Sequence, residues 1–211
     1  MNTSSSWFRG KLRMAYSLNS SSDNCYEGTT CLINKFDIRD EEKLAEIEAQ
    51  ITFAKTVMLE STPVDGNFDF VHFKKIHEFL FCDLYEWAGK IRNVDISKKR
   101  TAFLECNHIE NVATKCFAKV NDGYFENLSL SDFAKKIAEL YNEVNYIHPF
   151  REGNGRTQRI YFTQLIRYYG YDINFADVDT DELMIATIRA SQGVMDFLVE
   201  FFENSIVQIP K

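Results

Sequence analysis

A chain of 211 residues with 45% hydrophobic side chains has the mass and apolar content for one domain with a sizeable core. Its formal net charge of −7 argues against a general nucleic-acid binder, whose affinity would rest on basic surface. No apolar run reaches the length needed to span a bilayer, and Cys25, Cys31, Cys82, Cys106 and Cys116 form neither a CxxC pair nor a metal-ligand spacing. The thiols therefore read as reduced and the protein as cytoplasmic, with no direct nucleic-acid or membrane partner.

Phe occurs 18 times and Pro only 3 times, which with long periodic stretches favours a mainly helical fold. Residues 1–24 are rich in Ser and Asn and read as a loosely ordered lead-in, or as a partner-binding tail. The domain proper is expected over 25–205. Asp40 can cap a helix running to about Ser61, with Leu44, Ile47, Ile51, Ala54 and Met58 as its apolar stripe. A turn signal at Thr62-Pro63-Val64-Asp65-Gly66-Asn67 precedes a second helix from about Asp69 to Cys82, with Phe73, Ile76, Phe79 and Leu80 inward.

Between Arg92 and Glu105 the pattern changes to Val94, Ile96, Ala102 and Leu104 around Ser97-Lys98-Lys99-Arg100-Thr101. This is a short β-hairpin with a basic tip, or a plain surface loop with a solvated charge run. A helix from about His108 to Val120 follows. Another begins at Ser131 and Asp132, carries Phe133, Ile137, Leu140, Val144 and Ile147, and stops at Pro149. The next starts near Gly155 and runs to Tyr169, with Gly170 as its stop. Asp179 and Glu182 form a capping box for a further helix, and a last one after Gly193 carries Phe197, Leu198, Phe201 and Phe202.

The most informative run is His148-Pro149-Phe150-Arg151-Glu152-Gly153-Asn154-Gly155-Arg156-Thr157-Gln158-Arg159. It lies where a loop enters a helix, so free backbone N–H groups and the helix dipole favour an anion. Gly153 and Gly155 let the backbone approach it, and Asn154 tolerates a left-handed conformation and offers an amide donor. Arg156 and Arg159 rise from one helix face to hold successive phosphates. Glu152, an acid beside an anion site, calls for a divalent cation between them, and Mg²⁺ commonly uses one carboxylate plus phosphate oxygens. His148, at the preceding helix end, can take a proton from an incoming hydroxyl. These parts assemble into transfer of a phosphorus group from a nucleotide to a hydroxyl.

The run closely resembles the motif of the Fic family (filamentation induced by cAMP), HPFx(D/E)GNGRxxR, and fills every fixed position. Asn34-Lys35-Phe36-Asp37-Ile38-Arg39-Asp40, Ile76-His77 through Leu84-Tyr85-Glu86-Trp87-Ala88-Gly89, and Arg92-Asn93-Val94-Asp95-Ile96-Ser97-Lys98 resemble its other landmarks. The resemblance implies an all-α core with one short β-hairpin flap, and transfer of AMP from ATP to a protein hydroxyl with release of pyrophosphate. His148 would then be the general base and Glu152 the Mg²⁺ ligand. Gly153, Asn154, Gly155 and Arg156 would hold the α- and β-phosphates, and Arg159 the γ-phosphate. Ser97, Lys98, Lys99 and Thr101 would dock the target through the flap by strand addition, with Met184 as an adenine wall. The related Doc toxins carry Lys at the position of Gly155 and transfer the terminal phosphate, so Gly155 implies AMP transfer.

Many relatives carry an inhibitory helix, (S/T)xxxE(G/N), whose Glu pairs with the second motif arginine, here Arg159. Glu203-Asn204 follows Val199 and Glu27-Gly28 follows Asp23, so neither completes it. Thr56 and Glu60 fit, but Ser61 follows. The expectation is a separate antitoxin supplying the Glu, with Thr56–Glu60 as a degenerate internal element in second place. Analogy to short relatives points to a type II topoisomerase as target. Other readings are removal of AMP from modified proteins, a host-directed effector, and a nucleotide-binding module with little catalysis.

Overall fold

The computed structural model describes residues 17–18, 24–98 and 101–209. Most of the 1–24 lead-in and the hairpin-tip residues Lys99 and Arg100 lie outside the described residues, as do the side chains of Lys98 and Thr101.

The described residues form an all-α architecture with two minor β elements. The helices are α1 (Glu41–Ser61), α2 (Phe70–Phe81), α3 (Ile109–Asn121), α4 (Leu130–Ile147), α5 (Asn154–Tyr168), α6 (Thr180–Ser191) and α7 (Asp196–Ser205). Caps set most of their starts. The carboxylates of Asp40, Asp69 and Asp179 accept backbone N–H groups of α1, α2 and α6. Ser129, not Ser131, caps α4: its Oγ accepts the N–H of Asp132 and donates to that carboxylate at 2.6 Å. The helix therefore begins earlier than the Ser131 signal suggests.

The helices α4 and α5 form the centre, with α2 and α3 on one side and α6 and α7 on the other. Phe133, Ile137, Leu140, Val144 and Ile147 of α4 are all buried. They meet Ile160, Phe162, Leu165 and Ile166 of α5 in one continuous core. Buried aromatic rings carry that core toward the motif: Phe73 stacks on Phe150 at 5.5 Å and meets Tyr161 edge-on at 5.3 Å.

The first helix keeps its expected span and packs Leu44, Ile47 and Ile51 on the core, but departs from expectation over the rest of its inward face. Its buried residues are Leu44, Glu48, Thr52 and Leu59, while Met58 is 56% exposed and Ala54 is also exposed. Two polar side chains occupy its inward face because an arginine of the motif lies beneath them, as described below.

The hairpin is present as β2 (Ile96–Lys98) and β3 (Thr101–Ala102), with Ser97 opposite Ala102 and Lys98 opposite Thr101. A strand not anticipated, β1 (Ser17–Leu18), adds to the other edge of β2, with Ser17 opposite Ser97 and Leu18 opposite Ile96. A second small ladder pairs β4 (Tyr171–Asp172) with β5 (Val207–Gln208) and returns the chain end to the α5 terminus. No described helix is long and apolar enough to cross a membrane. The five cysteines are free.

Candidate active site

The site is built on the joint between α4 and α5. His148 caps α4 in a left-handed conformation, φ 45° and ψ 61°, where Pro149 forbids a further helical turn. The next loop is clasped by Asn154: its Oδ1 accepts the Phe150 N–H and its Nδ2 donates to the Phe150 carbonyl, both at 2.8 Å. The Asn154 side chain is buried and shapes the loop. That corrects the expectation that it is a left-handed residue whose amide faces the anion. The left-handed residue is Gly153, φ 81°, which N-caps α5.

Gly153 is required twice. Its φ disfavours any side chain, and a Cβ there would lie 2.3 Å from Cζ of Phe81. At Gly155 a Cβ would meet only Nη1 of Arg159, at an ordinary 3.5 Å. A first carbon is accommodated there, so any crowding of the cradle at this position requires a longer side chain. The first α5 bond closed to a loop carbonyl is Thr157 N–H to Gly153 O, at 3.0 Å. The N–H groups of Asn154, Gly155 and Arg156 precede it and form the positive end of the helix dipole.

His148 is 6% exposed. Its Nδ1 lies 3.2 Å from the Asn145 carbonyl, which can only accept, so Nδ1 carries the proton and Nε2 the basic lone pair. Phe103, just past β3, lies against the imidazole with ring centroids 3.8 Å apart. Arg92, 4% exposed, brackets the same joint. It donates from Nε to the His148 carbonyl at 2.9 Å, from Nη1 to Val94 O at 2.7 Å, and from Nη2 to Leu104 O. Its own N–H bonds Pro149 O at 2.9 Å. Hairpin base and motif loop are thus tied by one buried cation. Neither Phe103 nor Arg92 was singled out as functional from sequence; Arg92 stood in a recognised landmark, but nothing in its spacing revealed its carbonyl partners.

His77 supports the loop from below. Its Nδ1 accepts the Gly89 N–H at 2.8 Å, so its Nε2–H donates to the Glu152 carbonyl at 3.0 Å. Its ring stacks on Phe150 at 3.8 Å. Burial holds its pKa down at about 3, so it is a neutral structural group.

The Glu152 carboxylate accepts the Gly153 N–H at 2.9 Å and lies 3.5 Å from Nη2 of Arg156. Arg156 reaches across to α1, where the same Nη2 lies 2.6 Å from Oε1 of Glu48 and Nη1 donates to Thr52 Oγ1 at 3.3 Å. Its guanidinium also sits over the Phe81 ring, 4.8 Å from the centroid. Burial lowers the pKa of Arg159, with Arg156 adding to the effect and Tyr141 opposing it. Among the described residues no carboxylate pairs with Arg159. Glu60 pairs instead with Arg167, at 2.5 Å, so the Thr56–Glu60 element does not engage the second motif arginine.

Among the described residues no group of three or more His, Cys, Asp and Glu could cage a metal. The more exposed of the two carboxylates beside Arg156 is that of Glu152, and a single such donor fits a cation that takes most of its oxygens from phosphates and water, as Mg²⁺ does. The other anticipated residues are dispersed. Ser97 pairs through its backbone within the three-stranded sheet. Met184 is 37% exposed on α6, a helix packed on α4 and α7, and no observation ties it to the cradle.

The sequence profile of the Fic/DOC family matches residues 67–166. The protein adenylyltransferase VbhT of Bartonella schoenbuchensis is 34% identical over 181 residues, 85% of this chain and 38% of that protein. The probable protein adenylyltransferase y4lH of Sinorhizobium fredii is 38% identical over 171 residues, 80% of this chain and 88% of that protein. The chain thus spans well under half of the first relative and most of the second. Among solved structures, BepC of Bartonella tribocorum, determined with bound AMPPNP, superposes with a TM-score of 0.81 at 26% identity, covering 89% of this chain and 98% of that chain.

Proposed function

We propose, from the premise that this chain belongs to the Fic/DOC family and is a protein adenylyltransferase, that it moves AMP from ATP to a Tyr, Thr or Ser hydroxyl of a target protein and acts as the toxin of a toxin–antitoxin pair in the cytosol. The observation that carries the chemistry is the contact of His148 Nδ1 with the Asn145 carbonyl, which sets the tautomer. With Nδ1–H donated to Asn145 O, Nε2 carries the basic lone pair.

In the reaction the target oxygen attacks the α-phosphorus, a new O–P bond forms, and the bond to the β-phosphate oxygen breaks. The hydroxyl proton passes to His148 Nε2 and pyrophosphate leaves. The Gly153–Gly155 backbone and Arg156 hold the α- and β-phosphates, and Arg159 receives the γ-phosphate. Glu152 would hold Mg²⁺, which when bound offsets phosphate charge. The flap, with Ser97, Lys98, Lys99 and Thr101, would align the target's extended backbone. Gly155 favours AMP transfer over transfer of the terminal phosphate.

The toxin reading is supported by Arg159, which has no acidic partner among the described residues, and by Glu60, which is engaged elsewhere. An antitoxin Glu would fill the γ-phosphate subsite. A type II topoisomerase is the target suggested by analogy. The test incubates the protein with α-labelled ATP, Mg²⁺ and bacterial lysate beside His148→Ala. Label on a lysate protein, lost in the variant, is the expected result. Labelling from γ-labelled ATP alone would replace AMP transfer with a kinase. Growth arrest relieved by a small co-encoded protein is expected, and arrest that persists in His148→Ala would refute catalysis as its cause.

A further inference from the structure

Two carboxylates face one nitrogen. Nη2 of Arg156 lies 2.6 Å from Oε1 of Glu48 and 3.5 Å from Oε1 of Glu152. The side chain of Glu48 is 1% exposed and that of Glu152 is 19% exposed. Glu48 is fixed on its other side as well, because its Oε2 accepts the hydroxyl of Tyr85, itself buried. Thr52, one turn along α1, accepts from Nη1 of the same guanidinium and anchors its own hydroxyl on the Glu48 carbonyl at 2.7 Å.

We infer that Glu48 is a positioning residue for the metal-dependent step of nucleotide binding: it neutralises Arg156 from α1 and so keeps Arg156 from closing onto Glu152. Arg156, in the first turn of α5, is already within 3.5 Å of Glu152, which lies in the loop just before the left-handed N-cap Gly153. Without a rival, that contact would tighten into a full ion pair and cancel the charge a cation needs. The buried carboxylate is the stronger competitor because it is closer, is held by Tyr85, and has no water to turn to. Three charged groups then sum to one surplus negative charge, located on the more exposed carboxylate. Glu48 touches neither substrate nor metal in this account; it acts through Arg156.

The inference rests on Glu152 as the Mg²⁺ ligand, and the experiment separates the two. Binding of a non-hydrolysable ATP analogue is measured by calorimetry across a Mg²⁺ series for the wild type, Glu152→Gln, Glu48→Gln, Glu48→Asp and Tyr85→Phe. Thermal melts confirm that each is folded. Glu152→Gln should abolish the Mg²⁺-dependent gain in affinity; if it does not, the ligand assignment falls, and the inference with it. Glu48→Gln should raise the Mg²⁺ concentration for half-maximal gain by about tenfold, the scale of lost support around a metal ligand. Its metal-free affinity should stay at or above that of the wild type, because an acid near the phosphates has been neutralised. Glu48→Asp, which keeps the charge but withdraws it, should shift the midpoint by less. Tyr85→Phe, which releases one Glu48 oxygen, should shift the midpoint in the same direction as Glu48→Gln but by less. A wild-type Mg²⁺ midpoint in Glu48→Gln and Glu48→Asp would overturn the proposal. So would a parallel fall of metal-free and metal-dependent affinity, which would mark Glu48 as a prop for the fold alone.

Discussion

The rings of Phe103 and His148 lie face to face, with centroids 3.8 Å apart and planes 12° from parallel. Phe103 belongs to the hairpin side of the site and His148 to the end of α4, so the hairpin and the proposed base share one contact. A stacked aromatic pair contributes about 0.5–1.5 kcal/mol beyond burial. Phe103→Ala should therefore slow label transfer from α-labelled ATP by about threefold to tenfold, with analogue affinity within about twofold of the wild type. A variant that loses affinity at unchanged turnover would show that Phe103 serves the nucleotide rather than the base.

Arg92 links the same two parts through carbonyl groups. Its guanidinium reaches His148, Val94 and Leu104, and its truncation would leave several buried acceptors unmatched. Arg92→Met, which keeps the aliphatic volume, should cost about 3 kcal/mol, or roughly 6–12 °C in melting temperature for a domain of this size. Melting by circular dichroism measures this. A loss below about 1 kcal/mol would mean that water replaces the guanidinium and that the bracket is not needed.

Much of this site could be read before any coordinates, because the motif packs its chemistry into consecutive residues and its placement between two periodic helices follows from Pro149 and the glycines. Asp40 and Asp179 announced their helices by capping chemistry that is local in sequence. Glu48 and Thr52 could not be read that way. Periodicity counts apolar side chains, so it placed the α1 stripe on Leu44, Ile47, Ile51, Ala54 and Met58, of which Leu44, Ile47 and Ile51 do pack on the core. The same inward side also carries an acid and a hydroxyl whose partner, Arg156, lies more than a hundred residues on. Phe103 and Arg92 escaped for the same reason: each acts through tertiary contacts. The two-residue strands β1, β4 and β5 are too short to show an alternation.

Gly153 combines a backbone demand with a packing demand, and the two can be separated. A left-handed conformation costs a non-glycine residue about 1–2 kcal/mol. A Cβ 2.3 Å from Phe81 adds a steric penalty that the buried ring can relieve only by moving. Gly153→Ala should thus lose analogue binding by more than about tenfold. Adding Phe81→Leu should restore the steric share and not the backbone share, read as coupling in a double-mutant cycle. Additive losses would locate the whole effect in φ.

His77 predicts how stability falls in acid. Its folded pKa, about 3, lies below the unfolded value of about 6.5, so between the two the unfolded chain binds a proton that the folded chain does not. Stability from this group is complete above the unfolded pKa and is lost as pH drops toward the folded one, at a slope approaching about 1.4 kcal/mol per pH unit. His72, whose pKa burial also lowers, acts in the same direction. The Gln amide can accept from Gly89 and donate to Glu152 without titrating, so His77→Gln should make the pH 4–6 limb of denaturant-derived stability shallower by about one proton. The Phe150 stack at 3.8 Å is lost in that variant, which lowers stability at pH 8 but leaves the slope argument intact. An unchanged slope in His77→Gln would mean that the imidazole is already protonated in the folded protein, and that the Gly89 N–H is not its partner.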